Sequence, residues 1–190
     1  MSQHRNTPIP EQQILDAAYE LLLAVGMRRM NMADVARRAG VSRATLYRRW
    51  PNVAAIVGEL TTRELGSVVA ACFAGGRSRA DLVAAIVAAV RAIREHPLTR
   101  KIVEVDPEFL LPYLLRRRGT STNAQLDLLA SALRRADDSV RRGSRVVQAR
   151  AIWLTAWSFT LTAPVLVDDK VSQPTLDREL RALLDRYLTP

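Results

Sequence analysis

The stretch Asn31 to Trp50, NMADVARRAGVSRATLYRRW, holds the residues of this 190-residue chain whose types and spacing best suit chemistry. Arg43, Ala44, Tyr47 and Arg48 follow one another at steps of one, three and one, so on a helix they share one face, with Thr45 and Arg49 flanking it. A guanidinium can donate two bonds to O6 and N7 of guanine, and the alanine methyl can meet a thymine methyl. The hydroxyls of Ser42, Thr45 and Tyr47 can bond phosphates, which fixes register without reading sequence. This is the chemistry of nucleic-acid recognition. Catalysis has no comparable signature: the chain shows no nucleophile–base pairing, no phosphate loop and no metal-ligand spacing.

Such a face needs elements to hold it. Asn31 can cap a first short helix, with Asp34 three residues on, as in a capping box. Val35, Ala36 and Ala39 form that helix's apolar side. Gly40 stands where the chain must reverse and a positive φ is favoured. Val41 plugs the turn, and Ser42 caps a second helix whose Leu46 and Trp50 point back to the core. Ala36, Gly40 and Leu46 are separated by four and six residues. They supply a small residue at a close helix contact, a turn glycine and an inner apolar side chain, the three needs of a helix-turn-helix over residues 31–50.

The rest of the chain reads as helix too. An apolar stripe of Ile14, Ala17, Ala18, Leu21, Leu22 and Val25 predicts a first helix ending at Gly26. Residues 53–73 predict one long helix. Ser78 starts another that runs to His96-Pro97, apolar almost all round and therefore central. Pro107 and Pro112 imply broken helices over 98–118. Helices are expected at 122–141, 145–166 and 175–188. In the last, Leu176, Leu180, Leu183, Leu184 and Tyr187 form the apolar stripe, with Asp177 and its charged neighbours on the surface. The fold class is all-α, with a boundary placed in 50–65.

At these residues the sequence resembles the TetR family of bacterial transcriptional regulators. The pattern Ile14-Leu15-x-Ala17-Ala18, Gly26, Asp34-Val35-Ala36, Ala39-Gly40-Val41-Ser42 and Thr45-Leu46-Tyr47 carries the resemblance, over roughly residues 10–60. It implies an N-terminal three-helix DNA-binding domain (8–65) and a C-terminal helical domain (66–190) for effector binding and dimerisation. It also implies a cytoplasmic homodimer on a palindromic DNA operator, most commonly a repressor released by a small-molecule effector. Carried over by position, Asn31, Ser42, Arg43, Ala44, Thr45, Tyr47, Arg48 and Arg49 become the DNA-binding set. Two departures bear on phosphate contacts. Asn52-Val53 stands where the family usually has Ser-Lys, so Arg49 or the next helix's first turn must substitute for that lysine. Met30-Asn31 replaces the common Thr-Thr, though Asn31 can still cap.

Composition narrows the alternatives. One cysteine, Cys72, permits no intrachain disulfide, and it reads as a small buried hydrophobe. With only His4 and His96, a His- or Cys-rich metal site is excluded, and no cofactor is expected. His96 before Pro97 reads as a helix-end residue. The longest uncharged run, Ala151–Val167, is 17 residues and carries hydroxyls and Pro164, which argues for a buried helix rather than a membrane span. The net charge of +9 divides as +4 on residues 1–50 and +5 on the remainder, so charge favours nucleic acid without locating it. Arg116-Arg117-Arg118 reads as a helix end.

Phe109, Tyr113, Trp153 and Trp157 are the candidate effector-pocket lining, against the alternative of ordinary core or dimer packing. Thr155, Ser158 and Thr162 could bond a ligand or their own helix. Leu176, Leu180, Leu183, Leu184 and Tyr187 are the candidate dimer interface, in a four-helix bundle with the 145–166 helix. Two other classes remain: a helical enzyme using the pocket as a substrate site, and a sequence-neutral architectural DNA binder.

Overall fold

The computed structural model describes residues 11–112 and 119–190, and among these the secondary structure is helical with no strand. The helices are α1 (Glu11–Val25), α2 (Met32–Ala39), α3 (Arg43–Arg49), α4 (Val53–Cys72), α5 (Arg79–Glu95), α6 (Pro97–Val105), α7 (Thr120–Arg135), α8 (Arg145–Leu161) and α9 (Gln173–Leu188). Short 3₁₀ turns occupy Pro107–Phe109 and Ala163–Leu166. Tyr113 and Arg116–Arg118 lie outside the described residues. No described helix is long and apolar enough to cross a membrane.

Side-chain caps set most boundaries. Asn52, Ser144 and Ser172 accept backbone N–H groups at the starts of α4, α8 and α9, and Ser78 with Asp81 forms a reciprocal box at the start of α5. His96 sits at the junction its sequence position implied: it closes α5, and its Nδ1 accepts the Leu98 N–H, 3.2 Å away, to open α6.

Two apolar cores result. The first joins α1, α2 and α3 to the start of α4 through Ile14, Leu22, Val35, Leu46, Trp50, Ile56 and Leu60, and it also takes Leu98 and Ile102 of α6. The second joins α5, α7, α8 and α9 through Val83, Ile86, Leu133, Ile152, Leu180 and Leu188. Helix α4 serves both sides: beyond Leu60, its Leu65 and Val69 pack with Ala89 and Ile93 of α5. Cys72, expected to be buried, is half-buried beside that group, and burial pushes its thiol pKa up.

Two expectations for α9 are corrected. Leu180 and Leu184 are 0% and 2% exposed and belong to the subunit's own core, so they are not available to a partner. Leu176 and Tyr187 are half-buried, and only Leu183 of the proposed set is exposed, at 49%. The apolar stripe is real, but α5 and α8 already cover it. Asp177, placed on the surface by the sequence pattern, is 4% exposed. Its carboxylate takes two 3.0 Å bonds from Arg94 and others from Arg91 and Gln173, tying α9 to α5. Burial opposes its ionisation, but the two arginines outweigh burial and hold its pKa below the ordinary 3.8.

Asp177→Ala strands Arg94, whose side chain is only 9% exposed, and is expected to cost about 3–5 kcal/mol in urea unfolding at pH 7. Because the folded-state pKa is depressed, this stabilisation is complete above the unfolded value near 3.8 and is lost as pH falls below it. The gap between wild type and variant must therefore narrow as the pH falls from about 4 toward 2; a gap independent of pH would exclude the ion pair as its cause.

Candidate nucleic-acid interface

The helix-turn-helix is built from α2, a tight turn and α3. Asn31 Oδ1 accepts the Asp34 N–H at 2.9 Å. The return bond differs from a full capping box, because Asn31 Nδ2 reaches the Asp34 carboxylate at 2.6 Å, side chain to side chain. Gly40 adopts φ 68°, ψ 28°, and the Val41 N–H closes back on Ala36 O at 2.9 Å. A Cβ at Gly40 would meet nothing within 4 Å, so the requirement is for the left-handed backbone alone. Ser42 Oγ accepts the Thr45 N–H at 3.1 Å and lies 2.9 Å from Thr45 Oγ1, fixing the first turn of α3.

Helix α3 is anchored inward by Leu46 and by Trp50 just past its end, 0% and 2% exposed. Arg43, Ala44, Tyr47 and Arg48 are exposed on the opposite side, with Tyr47 at 53%. Arg43 and Arg48 have no ion-pair partner among the described residues, unlike most arginines nearby. Arg37 pairs with Asp34 at 2.6 Å, Arg38 with Glu20 at 2.7 Å, and Arg28 with Glu108.

Arg49, expected to contact phosphate, is also tied within the subunit. Its Nη2 lies 2.8 Å from Glu11 and 3.2 Å from Glu59, and its guanidinium sits 5.6 Å from the Trp50 ring centroid. Glu59 also accepts the Trp50 indole N–H at 2.8 Å. Burial and the neighbouring Glu11 push the Glu59 carboxyl up, while hydrogen bonds from Glu59 and Arg49 hold Glu11 down. This knot binds α1, α3 and α4, so the Arg49 charge is already engaged within the subunit.

A second tie was invisible in the sequence. Asp106, 2% exposed at the end of α6, accepts the Met27 N–H at 2.6 Å and the Arg28 N–H at 3.2 Å in the α1–α2 loop. Gly26 permits the approach: its φ is 76°, and a Cβ there would lie 3.0 Å from both Asp106 Oδ2 and Val105 Cγ1. Nothing local flags Asp106, whose partners lie 79 and 78 residues away.

Two cavities lie behind the helix-turn-helix. The larger, about 710 Å³, runs between α4, Phe109-Leu110 and the start of α7, with Arg49 and Glu59 in its wall as well as Trp157. That volume falls in the ordinary range for small-molecule sites. The smaller, about 40 Å³, is lined by α4, α5, α7 and α8, with Trp153 and Trp157 both present. Phe109, Trp153 and Trp157 are thus placed at cavities, with Trp157 common to both; Tyr113 lies outside the described residues. The two indoles are 5.6 Å apart and tilted by 50°. Gln125, not singled out by the sequence, accepts both indole N–H groups on Oε1, at 2.9 and 3.2 Å. Thr155 bonds back to Ala151 O of its own helix.

These features define a helix-turn-helix DNA-binding regulator with an all-helical C-terminal part. The family model for bacterial regulatory proteins of the tetR family matches residues 14–60. HTH-type transcriptional regulators of Mycobacterium bovis and Mycobacterium tuberculosis are 34% identical over 178 residues, covering 93% of this chain and 93% of each relative. The chain belongs to the TetR family of bacterial transcriptional regulators. Its fold is shared with the Rhodococcus erythropolis repressor QsdR (TM-score 0.70, 20% identity, 94% of this chain and 95% of that one). It is also shared with FadR of Bacillus subtilis, solved with stearoyl-CoA (TM-score 0.61, 17% identity, 94% and 100%).

Asp106→Ala removes the acceptor for two backbone N–H groups and is expected to cost about 2–4 kcal/mol in denaturant unfolding. Asp106→Asn, which keeps one acceptor oxygen, should cost less. Equal losses for both would mean that charge, not hydrogen bonding, secures the loop.

Proposed function

We propose that this regulator is a ligand-responsive repressor. As a homodimer, it places Arg43, Ala44, Tyr47 and Arg48 of each subunit in successive major grooves of a palindromic operator, with Asn31, Ser42 and Thr45 on flanking backbone. A small, partly apolar effector bound in the 66–190 portion releases the DNA, and the site of action is the cytoplasm. The observation that carries the reading is the asymmetry of α3: one face is locked by Leu46 and Trp50, while the other offers two arginines without an ion-pair partner among the described residues. That is a preorganised reading surface, and half-sites one or more helical turns apart follow from two-fold symmetry. The stearoyl-CoA complex of FadR supports a ligand role for the C-terminal cavities.

For the dimer we place the contact on the exposed apolar side chains of α8 and α9: Val147 and Leu154, seven residues apart on one face of α8, and Leu183 of α9. They are 62%, 65% and 49% exposed. Leu180 and Leu184 are committed to the core, whereas these side chains, with Val146 beside them at 53% exposed, are left outward.

Selection from a random duplex pool at near-physiological salt is expected to enrich an inverted repeat; salt-sensitive binding to every duplex without enrichment would sink the reading. On the selected site, Arg48→Ala should lose about 1–3 kcal/mol and relax one base position per half-site. A uniform loss across sequences would make Arg48 a phosphate contact. Leu154→Arg with Leu183→Arg should yield a folded monomer by light scattering, and an unchanged dimer mass would refute the interface.

A further inference from the structure

The Gln125 amide on the lining of the smaller cavity has a fixed sense, and that sense bears on what the cavity can hold. Both tryptophan N–H groups need an acceptor, so the oxygen of the Gln125 amide must face Trp153 and Trp157, and the NH₂ must face away. Two donors fill that oxygen. The nitrogen reaches Ser121 Oγ at 3.3 Å, which leaves one amide N–H without a partner among the described residues. Gln125 is 7% exposed and lines the 40 Å³ pocket. Thr160, also on that lining, has its hydroxyl hydrogen engaged with Ala156 O. Among the side chains lining the pocket, Gln125 alone keeps a donor hydrogen that is not already engaged, and its nitrogen lies toward Ser121 in the wall of the larger cavity.

The rest of the lining is apolar, including Phe73, Ile86, Val90, Leu129 and Ile152, and no Asp, Glu, Lys, Arg or His is among the lining residues. An ionised head group would lose its hydration there without a counter-ion. By volume the pocket holds on the order of three water-sized groups, about the size of a methyl ketone end. Trp157 is the wall it shares with the 710 Å³ cavity, which has room for a longer chain.

Resting on the effector reading above, we propose that the site takes a neutral apolar molecule carrying a terminal hydrogen-bond acceptor, such as a ketone or ester. Its acceptor enters beside Gln125 Nε2, and its hydrocarbon lies past Trp157 in the larger cavity. Gln125 is the specificity-determining residue, and carboxylates of the same chain length are excluded.

The test uses the full chain labelled with ¹⁵N-tryptophan, its indole resonances assigned by Trp153→Phe and Trp157→Phe. Titration with 2-decanone should shift the Trp153 and Trp157 signals, and Trp50, whose indole N–H is held by Glu59 in the wall of the larger cavity, reports whether the chain reaches that end. Decanoate at pH 8 should bind at least about a hundredfold more weakly, as expected for an unpaired buried charge. Gln125→Leu should lower the affinity ratio of 2-decanone to decane by about five- to tenfold, the size of one neutral hydrogen bond, while decane still binds. Retained decane binding shows that the variant's pocket is intact. Decanoate binding as tightly as the ketone, an unchanged ratio in Gln125→Leu, or indole signals that no ketone moves would each overturn the proposal. Release of a labelled selected duplex is read in the same samples. Gln125-dependent ketone binding without DNA release supports this ligand class and defeats the repressor reading instead.

Discussion

Helix α4 is buried at its two ends against different partners, and most of the architecture follows from that constraint. Ile56, Val57 and Leu60 belong to the core of α1–α3, whereas Leu65 and Val69 pack on α5. Twenty residues make a rod about 30 Å long, and α4 has no proline and no break along its length. A displacement imposed on one end is therefore passed to the other. Two polar ties flank the rod. Glu59, on α4 itself, holds Trp50 and Arg49 at the end of the reading helix. Asp106, after α6, holds the loop before α2. Between them they fix the orientation of α2 and α3 relative to α4 and α6, the elements that reach the cavities and α5.

The helix-turn-helix was legible because all its determinants sit within twenty residues: two caps, one left-handed glycine and an inner apolar pair. The other ties were not, because they join residues far apart in sequence. Gln125 meets its tryptophans 28 and 32 residues on, and Asp106 its amides 79 and 78 residues back. Periodicity marked the leucine stripe of α9 correctly as apolar. It could not say whether that stripe faces a second subunit or the chain's own α5 and α8, and Leu180 and Leu184 face the latter. Asp177 fails for the same reason: it lies off the stripe, but α5 brings two arginines to cover it.

Charge shows the same limit. The basic excess is spread over the whole chain, and composition cannot separate the arginines that tie elements together from those left outward. In three dimensions the separation is plain. Arg37, Arg38 and Arg49 each face a carboxylate, whereas Arg43 and Arg48 face none among the described residues. Arg49 illustrates what motif position alone does not show. It follows directly on the reading face, yet α1 and α4 each present a glutamate within reach, and the stacked Trp50 ring holds it there.

A ligand shifts a two-state protein only by its difference in affinity for the two states. The small pocket lies among α4, α5, α7 and α8, far from any residue of the reading helix in its lining. A molecule confined there could affect α3 only indirectly, through α4 or through α5 and the Asp106 tie that follows α6. The larger cavity is different in kind, because its wall includes Arg49 and Glu59 at one side and Trp157 at another. A molecule long enough to touch both contacts the knot that orients α3 directly, and its fit must change if that knot moves. Length would then govern response more than affinity. Short molecules that fill the pocket beside Gln125 would bind both states nearly alike, and chains extending toward Glu59 would distinguish them.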